Sequence, residues 1–293
     1  MLDADIRDYF SSLDHSWLVK FLEHRIADKR VLRLIQRWLK AGVIEDGEWL
    51  ETLEGTPQGA SVSTLLANVY LHYVFDLWVH QWRSRHARGD MVVVRFADDF
   101  VVGFEHRDEA ERFWVDLRER FARFGLELHE GKTRLIEFGR FAAQHRARRG
   151  EPNPETFDFL GFTRICTKDR RGRFKLSRVT SKKRMRTKLR AVKTEMRRRM
   201  HDPIPEQGQW LARVLQGHYN YYGVPHNSRA LSNFRLQVTR LWLRSLRRRS
   251  QRHRMTWERF GRLADRWLPR PHVMHPWPNR RFDAKTQGRS LVR

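Results

Sequence analysis

The sequence predicts an α+β protein in which an antiparallel sheet with packed helices is followed by a region of helices alone. Up to about residue 180, short β-branched runs alternate with helical patterns, and after it only helical periodicity remains. The charge changes at the same place. Residues 1–180 carry 30 Lys and Arg against 28 Asp and Glu, whereas residues 181–293 carry 29 against 6. We therefore expect domains over 1–180 and 181–268, followed by an extended basic tail over 269–293.

The first elements follow from local patterns. Residues 2–7 alternate like a short strand with Asp3 and Asp5 on one face. Asp14 is typical of the N-cap of a helix that runs to about Arg25, and a second helix is predicted over 27–41, ending at Gly42. A hairpin over 43–53 would turn at 46–47, and 55–59 reads as a loop.

The remaining elements alternate up to about residue 180. The patterns predict a long helix over 61–82, strands over 91–96 and 100–104, a helix over 108–124, and strands over 126–129 and 132–138. Residues 140–156 look like a polar surface insertion, and a hairpin that begins at Phe157 would turn at 170–172. Helices are then expected over 181–201, 207–221, 227–249 and 255–267.

Composition narrows the class of protein. A chain of 293 residues can bury a sizeable core, and its one cysteine, Cys166, rules out a disulfide framework or a cysteine-based zinc site. We find no apolar run near the ~18 residues that a membrane span needs, so a cytoplasmic protein without a membrane partner is expected. The basic helices interleaved with aromatic residues predict a nucleic-acid partner.

Two adjacent carboxylates, Asp98 and Asp99, interrupt a valine-rich hairpin over 91–104. Like charges this close repel each other, and burying one without a partner costs several kcal/mol. A divalent cation would resolve the conflict, and oxygen ligands suit Mg²⁺ or Mn²⁺. The alternative is an exposed turn, which tolerates aspartate well.

Several motifs, in this order, resemble those of reverse transcriptases, in particular the reverse transcriptase/maturase proteins encoded by bacterial group II introns. The resemblance covers nearly the whole chain and is carried by Asp5-Ile6-Arg7-Asp8-Tyr9-Phe10, Gly55-Thr56-Pro57-Gln58-Gly59 with the helix to Asn68, Phe96-Ala97-Asp98-Asp99, Gly125-Leu126-Glu127-Leu128 with Gly131-Lys132-Thr133, the segment from Phe157 to Phe162, Gly217-His218-Tyr219-Asn220-Tyr221-Tyr222-Gly223, and the segments at Trp267 and His275. It implies a polymerase-type palm over 1–180 and a thumb/maturase region, the domain X of the family, over 181–268.

The resemblance also implies roles for single residues. Asp5, Asp98 and Asp99 would be catalytic, and Asp5, Ile6 and Asp98 would hold two Mg²⁺ ions, with Mn²⁺ as the alternative. Phe10 would meet the sugar of the nucleotide, and the other template or nucleotide contacts would be Gln58, Gly59, Asn68 and Lys132. Plain structural roles stay open for three of these residues: a turn cap for Asp99, a core aromatic for Phe10 and a surface lysine for Lys132.

In the basic helical region the expected partner is RNA. Five cations would contact phosphates, and three tyrosines would stack on unpaired bases, although helix packing is expected for at least one tyrosine. These residues are Lys182, Lys183, Arg184, Arg186, Lys188, Tyr219, Tyr221 and Tyr222. Met1 falls four residues before Asp5, so the fingers segment that normally precedes the palm in this family is expected to be missing, and no endonuclease module is expected after the maturase region.

The resemblance thus implies an RNA-directed DNA polymerase that copies intron RNA and also binds that RNA to assist splicing. Its partners would be an RNA template and intron RNA, a DNA primer or target and deoxynucleoside triphosphates, and no oligomeric state is indicated. Two alternatives remain open: a splicing maturase without polymerase activity, and an inactive remnant of a mobile element.

Overall fold

A computed structural model of the chain describes residues 1–40, 43–45, 48–50, 55, 61–249 and 255–277. The chain forms two compact units, Met1–Phe138 and Gly139–Arg293. This division falls well before the boundary that the charge change at residue 180 predicts. The reason is a set of buried hydrogen bonds: Asn227 accepts one from Thr180 N at 2.9 Å and donates others to Thr180 Oγ1 and Tyr222 O, which ties the last hairpin to the helices.

The first unit contains an antiparallel sheet with helices packed on one face. Its elements are β1 (Leu2–Ala4), α1 (His15–Glu23), α2 (Lys29–Lys40), β2 (Val43–Glu45), β3 (Glu48–Leu50), α3 (Ser61–Leu71), a π-helical segment (His72–Asp76), α4 (Leu77–His86), β4 (Met91–Phe96), β5 (Asp99–Phe104), α5 (Arg107–Ala122) and β6 (Arg134–Leu135). The main sheet has the order β4-β5-β1-β6, and β2 pairs with β3. This confirms the α+β class with packed helices on an antiparallel sheet.

Alternation along the strands separates the two faces of the main sheet. Leu2, Ala4 and Ile6 are buried, as is Phe100 on β5, so this face packs on the helices. Antiparallel pairing places Asp3 opposite Val101 and Ala4 opposite Phe100. Since side chains alternate between the two faces, Asp3 of β1 and Asp5 directly after it lie on the face away from the core.

Local capping sets the first two helices. Asp14 Oδ1 accepts hydrogen bonds from Ser16 N at 2.7 Å and Trp17 N at 3.1 Å, so the predicted N-cap is confirmed. Asp28 accepts from Arg30 N at 2.8 Å just before α2. The predicted helix end at Gly42 and the turn at 46–47 lie outside the described residues.

Two parts of the element prediction are wrong. The predicted strands over 126–129 and 132–138 reduce to a single bridge between Ile6 and Leu128 and to the two residues of β6. The predicted polar insertion over 140–156 contains a short helix, α6 (Ala142–Arg148), whose Ala142 is buried. Arg146 Nε donates to Pro152 O at 2.8 Å, which folds the polar segment back on this helix.

The second unit joins a small sheet to four longer helices. It contains α6, the antiparallel strands β7 (Phe157–Phe159), β8 (Phe162–Lys168) and β9 (Phe174–Thr180), and the helices α7 (Lys182–Arg198), α8 (Ile204–Tyr222), α9 (Ser228–Arg247) and α10 (Trp257–Trp267). Leu211, Leu215, Phe234 and Trp242 are fully buried between the helices. Within the described ranges, none of the helices combines the length and hydropathy needed to cross a bilayer.

The described start of the tail is tied to α8. Met274 N and His275 N both donate to Gly223 O, at 2.8 and 2.9 Å, and Tyr219 Oη donates to Pro269 O at 3.2 Å. A Cβ at position 223 would lie 2.4 Å from Tyr219 O and 3.2 Å from Met274 N, so only glycine allows this approach. Residues 278–293 lie outside the described residues.

Candidate active site

The tip of the β4–β5 hairpin carries the Ala97-Asp98 turn. Phe96 pairs with Asp99, so only two residues connect the strands. Ala97 has a φ of 53°, the positive value that two-residue hairpin turns require at their first central position. A left-handed backbone costs a residue other than glycine about 1 kcal/mol. The surrounding contacts must therefore hold this turn in place.

Strand pairing brings the second acidic segment to the same corner. β1 pairs with β5, with Ala4 opposite Phe100, so Asp5 leaves β1 at the end where Asp99 begins β5. Asp5 and Asp98 are half-buried and Asp99 is exposed. The structure thus gathers Asp5, Asp98 and Asp99 at one corner of the sheet, from segments that are more than 90 residues apart in the chain.

Lys132 connects the acids electrostatically. Its Nζ lies 2.5 Å from Asp5 Oδ2. The pKa of Lys132 is raised, chiefly by this hydrogen bond, and the charges of Asp5, Asp99 and Asp98 add to the effect. All three carboxylates therefore act on one exposed ammonium group, which places Lys132 at the site.

The backbone carbonyl of Ile6 lies on the side of the β4–β5 hairpin. In the bridge to Leu128, Asp5 O accepts from His129 N and Arg7 N donates to Glu127 O, both at 2.8 Å. Because successive backbone groups of a strand point to opposite edges, the carbonyl of Ile6 points toward the β5 edge. The side chain of Ile6 is buried, so a ligand role rests on this carbonyl.

These donors fit a hard divalent cation. Asp5 and Asp98 offer carboxylates, Ile6 offers a carbonyl, and a cation already sits on Asp5 in the form of Lys132. In the part of the chain that the structure describes, no three His, Cys, Asp or Glu side chains form a group able to hold an ion by themselves. Mg²⁺ is commonly held by one or two carboxylates with substrate phosphates and water, and the donor set matches that pattern.

Arg95 supports the Ala97-Asp98 turn, a role that was not predicted from the sequence. Its guanidinium donates to both carboxylate oxygens of Asp76, at 2.8 and 2.6 Å, to Asn68 Oδ1 at 3.0 Å and to Ala97 O at 3.0 Å. Arg95 is 15% exposed. An arginine within a valine strand is the signal that could have revealed this role, since a buried guanidinium requires partners.

Asn68 is engaged within the protein. Its Oδ1 accepts from Arg95, and its Nδ2 donates to Thr64 O at 3.0 Å. Asp76 closes the π-helical segment, in which the wider turn alters the direction of its side chain relative to α3. The fork between Arg95 and Asp76 thus joins the hairpin to the long helix behind it.

Tyr9 and Phe10 complete the floor of the corner. Tyr9 is buried, its hydroxyl donates to Ala67 O, and burial strongly raises its pKa, with the charge of Asp98 contributing in the same direction. Phe10 is half-buried, packs on the core and lies 5.6 Å from the Tyr9 ring. It therefore has a packing role in addition to the expected contact with a sugar.

Gly55 anchors the start of the predicted nucleotide loop. Its N donates to Leu13 O at 2.8 Å, and its φ is +82°. A Cβ here would meet Phe10 O at 2.6 Å, so the close approach to the Phe10 segment requires glycine. Gln58 and Gly59 lie outside the described residues.

In the second unit, the five predicted RNA-contacting cations are all exposed and lie on two sides of α7. Lys182, Lys183 and Arg186 line a cleft of about 720 Å³. Burial lowers the pKa of His218, and the charge of Lys188 adds to that effect. Burial raises the pKa of Tyr222, and the charge of Arg184 opposes the rise, so both cations act electrostatically on α8.

The three tyrosines differ in exposure. Tyr219 is 0% exposed, so it packs between helices and cannot stack on a base. Tyr222 is half-buried, and its ring contacts Phe162. Tyr221 is 53% exposed and donates to Leu160 O at 2.9 Å in the β7–β8 turn. Of the three, Tyr221 offers the most open ring face.

The acidic corner lies within a segment that matches a known protein family. The family profile described as reverse transcriptase (RNA-dependent DNA polymerase) matches residues 1–164, which include all the acids above. Group II intron-encoded protein LtrA of Lactococcus lactis subsp. cremoris is 38% identical over 87 residues, 30% of this chain and 14% of that protein. Protein YkfC of Escherichia coli K12 is 30% identical over 35% of this chain and 33% of that protein.

A further relative and one solved structure are also similar to this chain. An uncharacterized 91 kDa protein in the cob intron of Schizosaccharomyces pombe is 39% identical over 28% of this chain and 10% of that protein. Telomerase from Candida albicans, solved with a fragment of telomeric RNA, aligns with 90% of this chain and 47% of its own at a TM-score of 0.42 and 13% identity. The chain spans a third or less of the length of these curated relatives. The family profile covers more than half of the chain, and the chain therefore belongs to the reverse transcriptase family, with group II intron-encoded proteins among its relatives.

Proposed function

We propose that this chain is an RNA-directed DNA polymerase of the group II intron type, in which Asp5, Asp98 and Asp99 form the catalytic corner. The observation that supports it most strongly is the position of Lys132. One ammonium group lies on Asp5 and responds to the charges of Asp98 and Asp99, although Asp5 is more than 90 residues away from these two acids in the chain.

In this proposal, Asp5, Asp98 and the carbonyl of Ile6 hold Mg²⁺, with Mn²⁺ as the alternative. The bound cations would lower the pKa of a primer 3′-hydroxyl and neutralise charge on the triphosphate. Lys132 supplies a mobile positive charge that can move from Asp5 to a phosphate or to the leaving pyrophosphate. Asp99 supports the primer end, and Phe10 contacts the nucleotide sugar.

The remaining contacts with substrate follow the family resemblance. Gln58 and Gly59 would contact the template or the nucleotide, while Asn68 would act through Arg95 on the turn that carries Asp98. The partners are an RNA template, a DNA primer or target and deoxynucleoside triphosphates.

Primer extension on an RNA template with Mg²⁺ tests the proposal. We expect Asp98→Asn to lose at least 100-fold in rate, because removing a charge-stabilising group at a transition state costs about 10²–10³. Glu111→Gln is the matched control, since Glu111 is exposed on α5 and pairs with Arg107. A wild-type rate equal to that of Asp98→Asn would refute polymerase activity in this chain.

A second function, RNA binding that assists splicing, is favoured by the charge of residues 181–293, +23 in net terms. The cations of α7 and the ring of Tyr221 would bind intron RNA. Splicing of the cognate intron at low Mg²⁺ should improve with wild-type protein and with Asp98→Asn alike. Equal affinity for intron RNA and for a shuffled RNA at matched salt would count against this function.

A further inference from the structure

The second unit contains a cleft between the C-terminal halves of α7 and α9. Its volume is about 360 Å³, within the range of clefts that hold small ligands. The floor is apolar: Met196 is buried, and Met200 and Leu241 are half-buried. Met side chains adapt their shape and make favourable sulfur contacts with aromatic rings.

Cations surround this floor. Lys193, Arg197, Arg244, Arg247 and Arg248 line the cleft, and all five are exposed. Among the described residues that line the cleft, none is acidic. Arg247 Nε donates to Met255 O at 3.0 Å. The charged groups of the other four cations make no hydrogen bond to the described residues.

The nearby acids are already engaged by other arginines. Glu195 binds Arg199 at 2.7 Å and lies 3.7 Å from Arg198, and Asp202 lies 3.7 Å from Arg199. None of the ion pairs found among the described residues includes Lys193, Arg197, Arg244 or Arg248. The rim thus presents concentrated positive charge around an apolar floor.

We propose that this cleft binds an unpaired nucleotide of a structured RNA, with the base on the Met200 and Leu241 floor and the flanking phosphates on the rim. A bulged nucleotide combines a flat apolar face with negative charge on both sides, which is the complement of this cleft. The inference rests on the proposed function only in taking RNA as the polyanion, and it names a site separate from the α7 start and from the tyrosines.

Charge argues against occupants from the protein itself. Residues 278–293 hold five Lys and Arg and one Asp, so the rim repels that segment. A second copy of the chain has a net charge of +25 and is repelled in the same way.

A hairpin RNA with one bulged 2-aminopurine, compared with the same hairpin fully paired, tests the site in the full-length chain. The wild type should bind the bulged probe at least 10-fold more tightly and raise its fluorescence as the base leaves the stack. Arg197→Gln/Arg244→Gln should abolish this preference. Arg229→Gln/Arg240→Gln removes the same charge from exposed positions outside the cleft and should weaken both probes equally, with the preference kept.

A variant of the apolar floor distinguishes the contribution of the base contact to binding from that of the phosphate contacts. Leu241→Asn keeps every cation, so the preference for the bulge should fall while the salt dependence of binding stays the same. The inference is overturned if both double variants lose the same affinity on both probes, or if polyglutamate displaces the bulged hairpin as well as unlabelled bulged hairpin does. The probe offers no primer end, so a chain without polymerase activity would refute the proposed function and leave this test intact.

Discussion

At the scale of single residues, Lys132 has two opposing effects at the acidic corner. Its ammonium stabilises the three carboxylates, and it also occupies an oxygen of Asp5 that a metal ion would use. In the proposed mechanism, Lys132 must leave Asp5 before a metal ion can bind that oxygen. The same contact that stabilises the corner opposes metal binding.

Lys132→Gln should therefore separate turnover from metal affinity. We expect the rate of primer extension to fall about 10-fold or more, because charge on the leaving group loses its partner. The Mg²⁺ concentration for half-maximal rate should fall a few-fold, since a competing cation is gone. Lys40→Gln, at an exposed lysine of α2, should change neither value. An unchanged rate together with a higher Mg²⁺ requirement would contradict this role.

A buried histidine gives the second prediction at this scale. His218 stacks on Phe234 at 3.8 Å between ring centroids, and no described group bonds its buried Nε2. Burial, helped by the charge of Lys188, lowers its pKa to about 4 from 6.5. The native state therefore holds the neutral ring, and the unfolded chain takes up a proton first as the pH falls.

The contribution of the neutral His218 ring to the free energy of unfolding is complete above pH 6.5. It is lost as the pH falls from 6.5 to 4, by at most about 3 kcal/mol. His218→Phe should remove it, so the free energy of unfolding of the variant, measured in urea, should fall less than that of the wild type from pH 7 to pH 4.5. His201→Phe, at an exposed ring, should keep the wild-type slope. Parallel slopes for the wild type and His218→Phe would show that the ring titrates normally.

At the scale of elements, the hairpin that carries Asp98 depends on the long helix behind it. Arg95 on β4 bridges Asp76 and Asn68 of the helix to the carbonyl of Ala97. Removing one partner of a largely buried ion pair leaves the other without compensation. The strained turn would lose its main support at the same time.

Arg95→Met should lower the free energy of unfolding by about 2 kcal/mol and reduce primer extension. Asp76→Leu should do the same, and the double variant should cost less than the sum of the two, as residues of one pair do in a double-mutant cycle. Val93→Ala, on the same strand, is the control for lost packing and should slow extension less at equal loss of stability. Additive effects would show that the pair does not act as a unit.

Asn227 has a similar connecting role in the second unit. It is fully buried and makes three hydrogen bonds that join β9 to the end of α8. Asn227→Ala should destabilise this unit by about 2 kcal/mol, because buried backbone and hydroxyl groups lose their partners. Asn233→Ala, at an exposed site on α9, should stay within about 0.5 kcal/mol of the wild type. Equal melting curves for the two variants would refute the role.

Much of the structure at the scale of elements could be predicted from the sequence. The valine runs and the aspartate break gave the hairpin, and the capping residue Asp14 gave the start of α1, because both depend on local physics. The network of Arg95 could not be derived, since it joins residues 27 and 19 positions away through tertiary packing. The compact units divide after residue 138 rather than at the charge change near 180, because charge reports on solvent and partners while compact units depend on buried contacts such as those of Asn227.

At the scale of the whole molecule, the two parts of the chain have different electrical character. Residues 1–180 are nearly neutral, and residues 181–293 carry most of the net charge of +25. RNA affinity should therefore depend strongly on salt. If six phosphates are neutralised, affinity should fall about 10³-fold between 50 and 200 mM salt.

Titration of RNA binding at several salt concentrations checks this dependence. The slope of log affinity against log salt concentration should be the same for Asp98→Asn as for the wild type. Lys182→Gln/Lys183→Gln should reduce the magnitude of this slope by about two, one for each cation removed. Glu111→Gln serves as the neutral control. A slope near zero for the wild type would show that the charge of the helical region does not contact phosphate.

The π-helical segment at 72–76 has a consequence for how the chain tolerates changes of length. A π turn holds one more residue than an α turn, so deleting one residue there would restore a regular helix at little cost to the fold. The same deletion would shift the helix by one position, which turns a side chain about 100° around the axis and away from Arg95. The position of Asp76 is thus set by the number of residues before it. A relative with one residue fewer in this helix would need a different support for the turn between its strands β4 and β5.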